Sequence, residues 1–129
     1  MFELTINEKV YPFRFGIGFL REIDKTRVQK LEDGSTANVG LQYAVAALID
    51  EDPLQVVEIL DIANKPETSN RVKKKDLEAY IEDENTDFEG LCKDILDFFA
   101  KNNVTKKKTL AVMELVENEK AKRTAVQAE

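Results

Sequence analysis

The stretch FELTINEKVYPFRFGIGFLREID, residues 2–24, decides how the N-terminal part of the chain folds. Its apolar residues alternate with other residues in two short runs, which are Phe2, Leu4 and Ile6 and then Tyr11, Phe13 and Phe15. An alternation with a period of two is typical of half-buried β-strands. The stretch therefore predicts a β-hairpin over residues 2–15. Because two aromatic-rich strands are not stable alone, we expect the hairpin to pack on helices.

Pro12 limits how the two strands can pair, because proline has no N–H group to donate. A tight Glu8-Lys9 turn would place the missing donor at a position that bonds to the first strand, so this turn is disfavoured. A four-residue loop over residues 7–10 turns that position outward and sets Ile6 opposite Tyr11. This loop is the preferred prediction.

A two-residue Asn7-Glu8 turn also suits the proline, and it sets Leu4 opposite Tyr11 instead. Asn7 tolerates the positive φ that such a turn needs, but the turn lacks its usual glycine. Both registers place the apolar residues of the two strands on one face of the hairpin.

Gly16 and Gly18 follow the second strand and permit a sharp corner with close backbone approach. A phosphate-binding loop would need a third glycine and a βαβ unit, which the sequence lacks. The corner is expected to open a first helix over residues 17–30. Four apolar residues would face inward on this helix and just after it: Leu20, Ile23, Val28 and Leu31.

Apolar spacing and capping residues predict further helices in the rest of the chain. One should end at Ile49 with Ser35 or Thr36 as its N-cap, and the next should begin with Asp52 as N-cap and Pro53 at its first position. A polar loop is predicted over residues 64–70. The remaining helices are expected around residues 77–81, from a cap at Thr86 to Asn102-Asn103, and over residues 107–119.

These elements predict a single, mainly helical α+β domain over residues 1–117. In it the hairpin of residues 2–15 packs on about five or six helices of a helical body, residues 17–117. Residues 118–129 are polar and are predicted to form a disordered tail.

The charge of the chain argues against two classes of ligand. Of its 129 residues, 34% are charged, and the net charge is −6. This balance disfavours nucleic acid or an anionic membrane as the main partner. Two basic runs, Arg71 with Lys73–Lys75 and Lys106–Lys108, are interpreted as solvated loop ends. No apolar run approaches the roughly 20 residues of a membrane span, and no signal-peptide core follows Met1.

Catalysis and metal binding have little support in the sequence. The chain has no histidine, which excludes histidine-based triads and the commonest metal ligand. Cys92 is the lone cysteine, and it is interpreted as a buried thiol in a reducing compartment. The acidic residues between Glu82 and Glu89 do not follow the spacing of a calcium loop. The sequence therefore predicts a binding protein with no catalytic residues, cofactor or metal.

Two apolar surfaces are candidates for partner binding. The segment of residues 110–116 either packs as a final core helix or presents a groove-binding face, for which methionine is well suited. The first strand has no proline, so its outer edge is open to another strand. The candidate residues are Phe2, Leu4 and Ile6 on the strand and Leu110, Met113 and Val116 on the helix.

The opening residues also resemble the start of a known family. The run from Phe2 to Ile6, then Tyr11 and Phe13, and the segment FGIGFLRE at residues 15–22 look like the N-terminus of one family of phage proteins. These are the tail assembly chaperones of long, flexible-tailed (siphovirus-type) phages and prophages of Gram-positive bacteria. The plan of a small acidic protein with a hairpin, a helical body and a lysine- and glutamate-rich end is also similar.

The resemblance implies a non-catalytic assembly factor. Such proteins coat the aggregation-prone tape-measure protein and help to recruit tail-tube subunits, and they leave before the tail is mature. It further implies a protein of the bacterial host cytoplasm that forms homo-oligomers and associates with a longer, frameshifted form. A rival interpretation is a small acidic adaptor or regulatory protein-binding module.

Overall fold

The computed structural model describes residues 2–128, with side chains as far as Lys122. Its strands are β1 (Phe2–Ile6), β2 (Lys9–Phe13), β3 (Val28–Lys30) and β4 (Thr36–Asn38). Its helices are α1 (Ile17–Asp24), α2 (Gly40–Ile49), α3 (Pro53–Asn64), α4 (Lys74–Glu82), α5 (Phe88–Lys101) and α6 (Lys106–Ala128). The predicted fold class, a mainly helical α+β domain with an N-terminal hairpin on five or six helices, is confirmed.

The β1–β2 hairpin has the two-residue Asn7-Glu8 turn, so the preferred four-residue loop is wrong. Leu4 lies opposite Tyr11, and Ile6 lies opposite Lys9. Asn7 and Glu8 have φ angles of 53° and 66°, which is the geometry of a type I′ turn. Such a turn matches the right-handed twist of paired strands, and this match outweighs the missing glycine.

Glycine in place of Glu8 is expected to raise the free energy of unfolding by about 1 kcal/mol, because a side chain in the left-handed region costs about that much. Chemical denaturation measures the change. Glu32→Gly is the matched control, because Glu32 is an exposed turn residue outside the left-handed region. A gain at Glu32 equal to that at Glu8 would contradict the assignment of strain to the hairpin turn.

Aromatic rings join the hairpin to the helices. Phe15, two residues after the end of β2, lies 5.0 Å from Phe19 of α1 and 5.0 Å from Phe99 of α5, measured between ring centroids. Phe2 packs edge-on against Phe98 at 6.0 Å. Edge-to-face pairs of this kind add to the stabilisation from burial. The hairpin is therefore fixed to the body by its own aromatic residues.

The corner after β2 does not depend on its two glycines. Gly16 and Gly18 both lie outside the positive-φ region, and a Cβ atom on either would meet nothing within 4 Å. The prediction that they allow close backbone approach is therefore wrong at these positions. The close approach occurs at Gly40, where a Cβ would overlap the backbone carbonyl of Ile23.

α1 ends at Asp24, so the predicted helix over residues 17–30 is too long. The following residues form the β3–β4 hairpin, which we call the arm. Val28 and Leu31, predicted to face inward, are 60% and 42% exposed. Thr26 explains part of this break, because its hydroxyl donates to the Ile23 carbonyl at 2.6 Å and competes with helix continuation.

α2 is capped from a distance. Its backbone N–H at Leu41 donates to Oδ1 of Asp24 at 3.1 Å. The predicted cap by Ser35 or Thr36 is wrong, because Thr36 lies in β4 and Val39 is the N-cap residue without a side-chain bond. The α1 end and the α2 start are thus held together both by this bond and by close packing.

The predicted N-cap is correct for α3 and wrong for α5. Asp52 caps α3 by accepting from the N–H groups of Leu54 and Gln55, with Pro53 at the first position, as predicted. α5 is capped by Asp87, which accepts from Gly90 N at 2.9 Å, and not by Thr86. Aspartate is as good an N-cap as threonine or better, and it stands one residue closer to the apolar face.

Asn64 is the last residue of α3 and is fully buried, so the predicted polar loop begins too early. Its Nδ2 donates to the carbonyls of Pro12 and Asn70, at 2.9 and 3.0 Å. Its Oδ1 accepts from Val72 N at 2.7 Å and from Arg71 at 3.0 Å. All four bonding positions of the amide are therefore filled.

Arg71 is not a solvated loop end, contrary to the prediction. Its guanidinium donates to Asn64 and to the Val72 carbonyl, and it pairs with Asp61 at 2.8 Å. The basic run at this point therefore begins with a residue that ties the loop after α3 back to the helix.

α6 continues to Ala128, whereas the sequence predicted a helix that ends near Glu119. The added turns contain alanine, lysine, glutamine and no glycine or proline, a composition that favours helix. The division of the chain into a domain over residues 1–117 and a tail stays a prediction.

Candidate partner-binding site

The three candidate side chains of β1 face the protein interior. Ile6 is buried, and Phe2 and Leu4 are partly buried against the core. The ring of Phe2 lies 5.6 Å from that of Phe15 and 6.3 Å from that of Phe13. These apolar side chains are therefore not free to bind a partner, and only the backbone edge of β1 remains a candidate.

α6 packs on the body through a line of residues different from the three candidates. Thr105 and Thr109 are buried, and the Thr105 hydroxyl donates to the Phe99 carbonyl at 2.7 Å. One turn further on, Val112 packs against the core. Because the inner face of the helix follows this line, Met113 and Val116 stand at its flank, where α6 meets its neighbours.

A groove lies on this flank, between the C-terminal end of α2, the N-terminal half of α5 and the middle of α6. Its volume is about 280 Å³. Six apolar side chains line it: Leu48, Ile49, Cys92, Leu96, Met113 and Val116. This volume is just below the ~300–1,000 Å³ of pockets that enclose small molecules. The groove therefore suits a few side chains of a docked segment better than a free ligand.

The other helical candidate, Leu110, does not belong to this groove. It is 45% exposed and is not among the residues that line this groove. A second groove of about 330 Å³ runs along the other flank of α6 and includes Ala111 and Leu115. The structure thus brings Met113 and Val116 together and leaves Leu110 apart.

Charged side chains border the α2/α5/α6 groove. They are Glu51, Glu89, Lys93, Glu117 and Lys120. Three carboxylates and two ammonium groups give the border a small negative excess at neutral pH. The excess favours a docked segment that carries lysine or arginine beside its apolar residues.

Glu51, one of these border residues, has an uncommon backbone conformation. Its φ is 56°, and it follows α2 in a Schellman motif, in which Asp52 N donates to the Ala47 carbonyl at 2.9 Å and Glu51 N to the Leu48 carbonyl at 3.3 Å. Glycine is the usual residue at this position of the motif. A glutamate here therefore carries a backbone cost of about 1 kcal/mol.

Cys92 lies in the floor of the groove and is buried. Burial, and to a lesser extent the nearby Glu51 carboxylate, raises the pKa of its thiol to about 11. The thiol is therefore protonated at neutral pH and is a poor nucleophile. Its role in the groove is that of a small apolar side chain.

The described residues contain no group of three or more Cys, Asp or Glu side chains placed to hold a metal ion. Within the same part of the chain, no helix is both long enough and apolar enough to cross a bilayer.

Sequence reasoning found two of the six apolar groove residues as partner-binding candidates. Ile49 was predicted only as the end of a helix and Cys92 as a buried thiol, so neither was predicted to line a binding site. The signal that could have found them is their position at helix ends and flanks, where a core face meets solvent. That signal needs the helix arrangement, which periodicity does not supply.

A comparison with curated proteins found no match, and neither did one with solved structures. A comparison with protein families found one over residues 3–114, from β1 to the first part of α6. The matched family is described as "Phage tail assembly chaperone protein, TAC". Because the match covers most of the chain, and agrees with the resemblance of residues 2–22, the chain belongs to the phage tail assembly chaperone family.

Proposed function

We propose that this tail assembly chaperone is non-catalytic, binds the tape-measure protein and helps to recruit tail-tube subunits. It acts in the host cytoplasm and is absent from the mature virion. It also associates with further copies of itself and with a longer, frameshifted form. Family membership supports the general role, and the α2/α5/α6 groove is the observation that carries the binding proposal.

The groove fits an amphipathic helix of a client. Its apolar floor, formed where three helices meet, accepts anchor side chains at spacings of three and four residues. Met113 adds an adaptable wall, because its unbranched side chain fills gaps of different shape. The small negative excess of the border favours clients with basic residues beside the anchors. A long helical client with many such segments could be covered by many copies.

The charge of the chain supports the same role. A chaperone must keep an aggregation-prone client in solution while it exposes apolar surface of its own. With 34% charged residues and a net charge of −6, the chain carries the repulsive surface that keeps such a complex soluble.

Co-expression with the tape-measure protein of the same phage tests the proposal. We expect the tape-measure protein to stay soluble and to copurify with the chaperone, and the tail-tube protein to join the complex. A tape-measure protein that precipitates equally with and without the chaperone would contradict the proposal.

Glutamate in place of Met113 is expected to lower the amount of copurified tape-measure protein by about tenfold, since it removes a central contact and adds charge to an acidic border. Leu115→Glu is the matched control, because Leu115 is 66% exposed on the other flank of α6. It should retain wild-type binding. Thermal unfolding of both variants checks that the fold is kept. Equal losses in the two variants would argue against the groove.

A further inference from the structure

The arm is a part of the fold that the chain's own packing leaves uncovered. All three residues of β3 are exposed, and in β4 only Ala37 is partly buried. Val28 and Leu31 expose apolar surface to solvent. A two-stranded hairpin with no covered face is marginally stable in water. The arm would therefore be stabilised by another strand or surface that docks on it.

The base of the arm is nevertheless fixed to the body. The Arg27 guanidinium lies over the ring of Tyr43 in α2, 5.1 Å from its centroid. Val39 N donates to the Arg27 carbonyl at 2.9 Å. The arm therefore leaves the body in a defined direction.

Among the described residues, none makes a backbone hydrogen bond to the outer edge of β3. Val39 N bonds to the Arg27 carbonyl, and Leu31 N bonds to the Ser35 carbonyl at 2.8 Å. Because bonded pairs alternate in an antiparallel ladder, the peptide groups of Val28 and Lys30 point away from β4. Neither residue takes part in the backbone hydrogen bonds that the described residues make outside regular elements.

β1 has an open edge of the same kind. The Asn7-Glu8 turn makes Ile6 and Lys9 a bonded pair, so the peptide groups of Glu3 and Thr5 point away from β2. Both residues are exposed, and neither makes a backbone hydrogen bond outside the hairpin in the described part of the chain.

The opposite edge of this hairpin is closed. The Pro12 carbonyl accepts from Asn64 at 2.9 Å, and Arg14 N donates to the Ala63 carbonyl at 2.8 Å. The N-terminal hairpin therefore offers a new strand one edge only, that of β1.

We propose that β3 of the arm pairs with the open edge of β1 in a second copy of the chain. The inference rests on the self-association proposed above and gives it a site. An antiparallel register that joins the two free edges sets Glu3 opposite Lys30 and Thr5 opposite Val28. The same register places Leu31 beside Phe2, on the face of β1 that packs on the core.

The charges near the two edges favour β3 of a second copy over an unrelated strand. Lys25 and Arg27 just before the arm and Lys30 in β3 are basic, in a chain with a net charge of −6. Glu3 is an exposed carboxylate on the receiving edge. Because the two contact surfaces are different parts of one chain, the contact is heterologous and repeats from copy to copy as a ring or a helical array.

A charge exchange tests the contact. The oligomeric mass is measured by analytical ultracentrifugation over a series of concentrations for the wild type, Glu3→Lys, Lys30→Glu and the double variant. Each single variant should associate about fivefold more weakly, because it puts like charges opposite each other, and the double variant should recover to within about twofold of the wild type. Lys25→Glu is the charge-matched control and should associate more strongly than Lys30→Glu.

A wild type that is monomeric at every concentration would overturn the inference, and so would a double variant no better than the singles. Unfolding temperatures check that these exposed substitutions leave the fold intact. Tape-measure solubility is scored separately. Failure there counts against the proposed function, whereas failure of the mass measurements counts against the arm contact.

Discussion

Alanine in place of Asn64 lowers the free energy of unfolding by about 3 kcal/mol, the largest loss we expect from a single polar side chain in this protein. The amide joins the end of α3 to the N-terminal hairpin, 52 residues away in sequence, and to the loop that follows the helix. It binds the Pro12 carbonyl of the hairpin, the Asn70 carbonyl of the loop and the Val72 N–H that follows. Truncation leaves these groups without partners at a fully buried position.

The loss should appear in denaturant unfolding as a lower midpoint with an unchanged slope, and in heating as a fall of about 10 °C. Asn70→Ala is the matched control, because the Asn70 residue is exposed and its bond to Asn64 uses the backbone carbonyl, which alanine keeps. Its effect should stay within about 0.5 kcal/mol. A loss at Asn64 no larger than at Asn70 would show that the amide does not hold the hairpin to α3.

Alanine in place of Gly40 is the second large effect, also about 3 kcal/mol. A Cβ atom there would overlap the carbonyl group of Ile23 and would lie 2.8 Å from the Thr26 hydroxyl. A backbone carbonyl cannot rotate away as a flexible side chain can. α2 would therefore have to move away from α1, which also lengthens the bond from Leu41 N to Asp24.

Gly18→Ala is the control for that substitution. Gly18 lies inside α1, and a Cβ there would meet nothing within 4 Å. Alanine should stabilise this helix position by about 1 kcal/mol, through its higher helix propensity. The two glycine substitutions are thus expected to change the free energy of unfolding in opposite directions. Chemical denaturation of each variant measures the change. Destabilisation of similar size at both positions would contradict the placement of the close approach at Gly40.

The sequence was sufficient where local pattern and local chemistry agree. Alternation over Phe2 to Phe13 gave the two strands, and the Asp52-Pro53 pair gave the start of α3. Both signals lie within a few residues of the feature that they specify. The N-terminal hairpin and the helical body were therefore predictable.

The predictions from sequence are wrong where a local structure depends on a residue that is distant along the chain. Asp24 caps α2 from 17 residues away, and Asn64 bonds to Pro12 from 52 residues away. No local window contains both partners. The arm was missed because Val28 and Leu31 fit the spacing of a helix, although Thr26 and the turn at Asp33-Gly34-Ser35 favour a break. Apolar spacing alone does not show which residues are covered.

The candidate site was only partly predictable for the same reason. The apolar content of α6 pointed to Met113 and Val116, but the floor of the groove comes from α2 and α5. These helices meet α6 only in the folded chain. The family, in contrast, was recognisable from the first strand, the second strand and the start of α1, and the match over residues 3–114 extends the family to most of the fold.

Amide hydrogen exchange tests the central claim, that the α2/α5/α6 groove binds the tape-measure protein, most directly. The chaperone is measured alone and in complex with a soluble segment of the tape-measure protein. We predict that binding slows exchange in the three stretches that form the groove, residues 46–51, 89–96 and 112–120, and leaves the loop at residues 65–70 unchanged. Protection confined to other surfaces, with these three stretches unaffected, would contradict the claim.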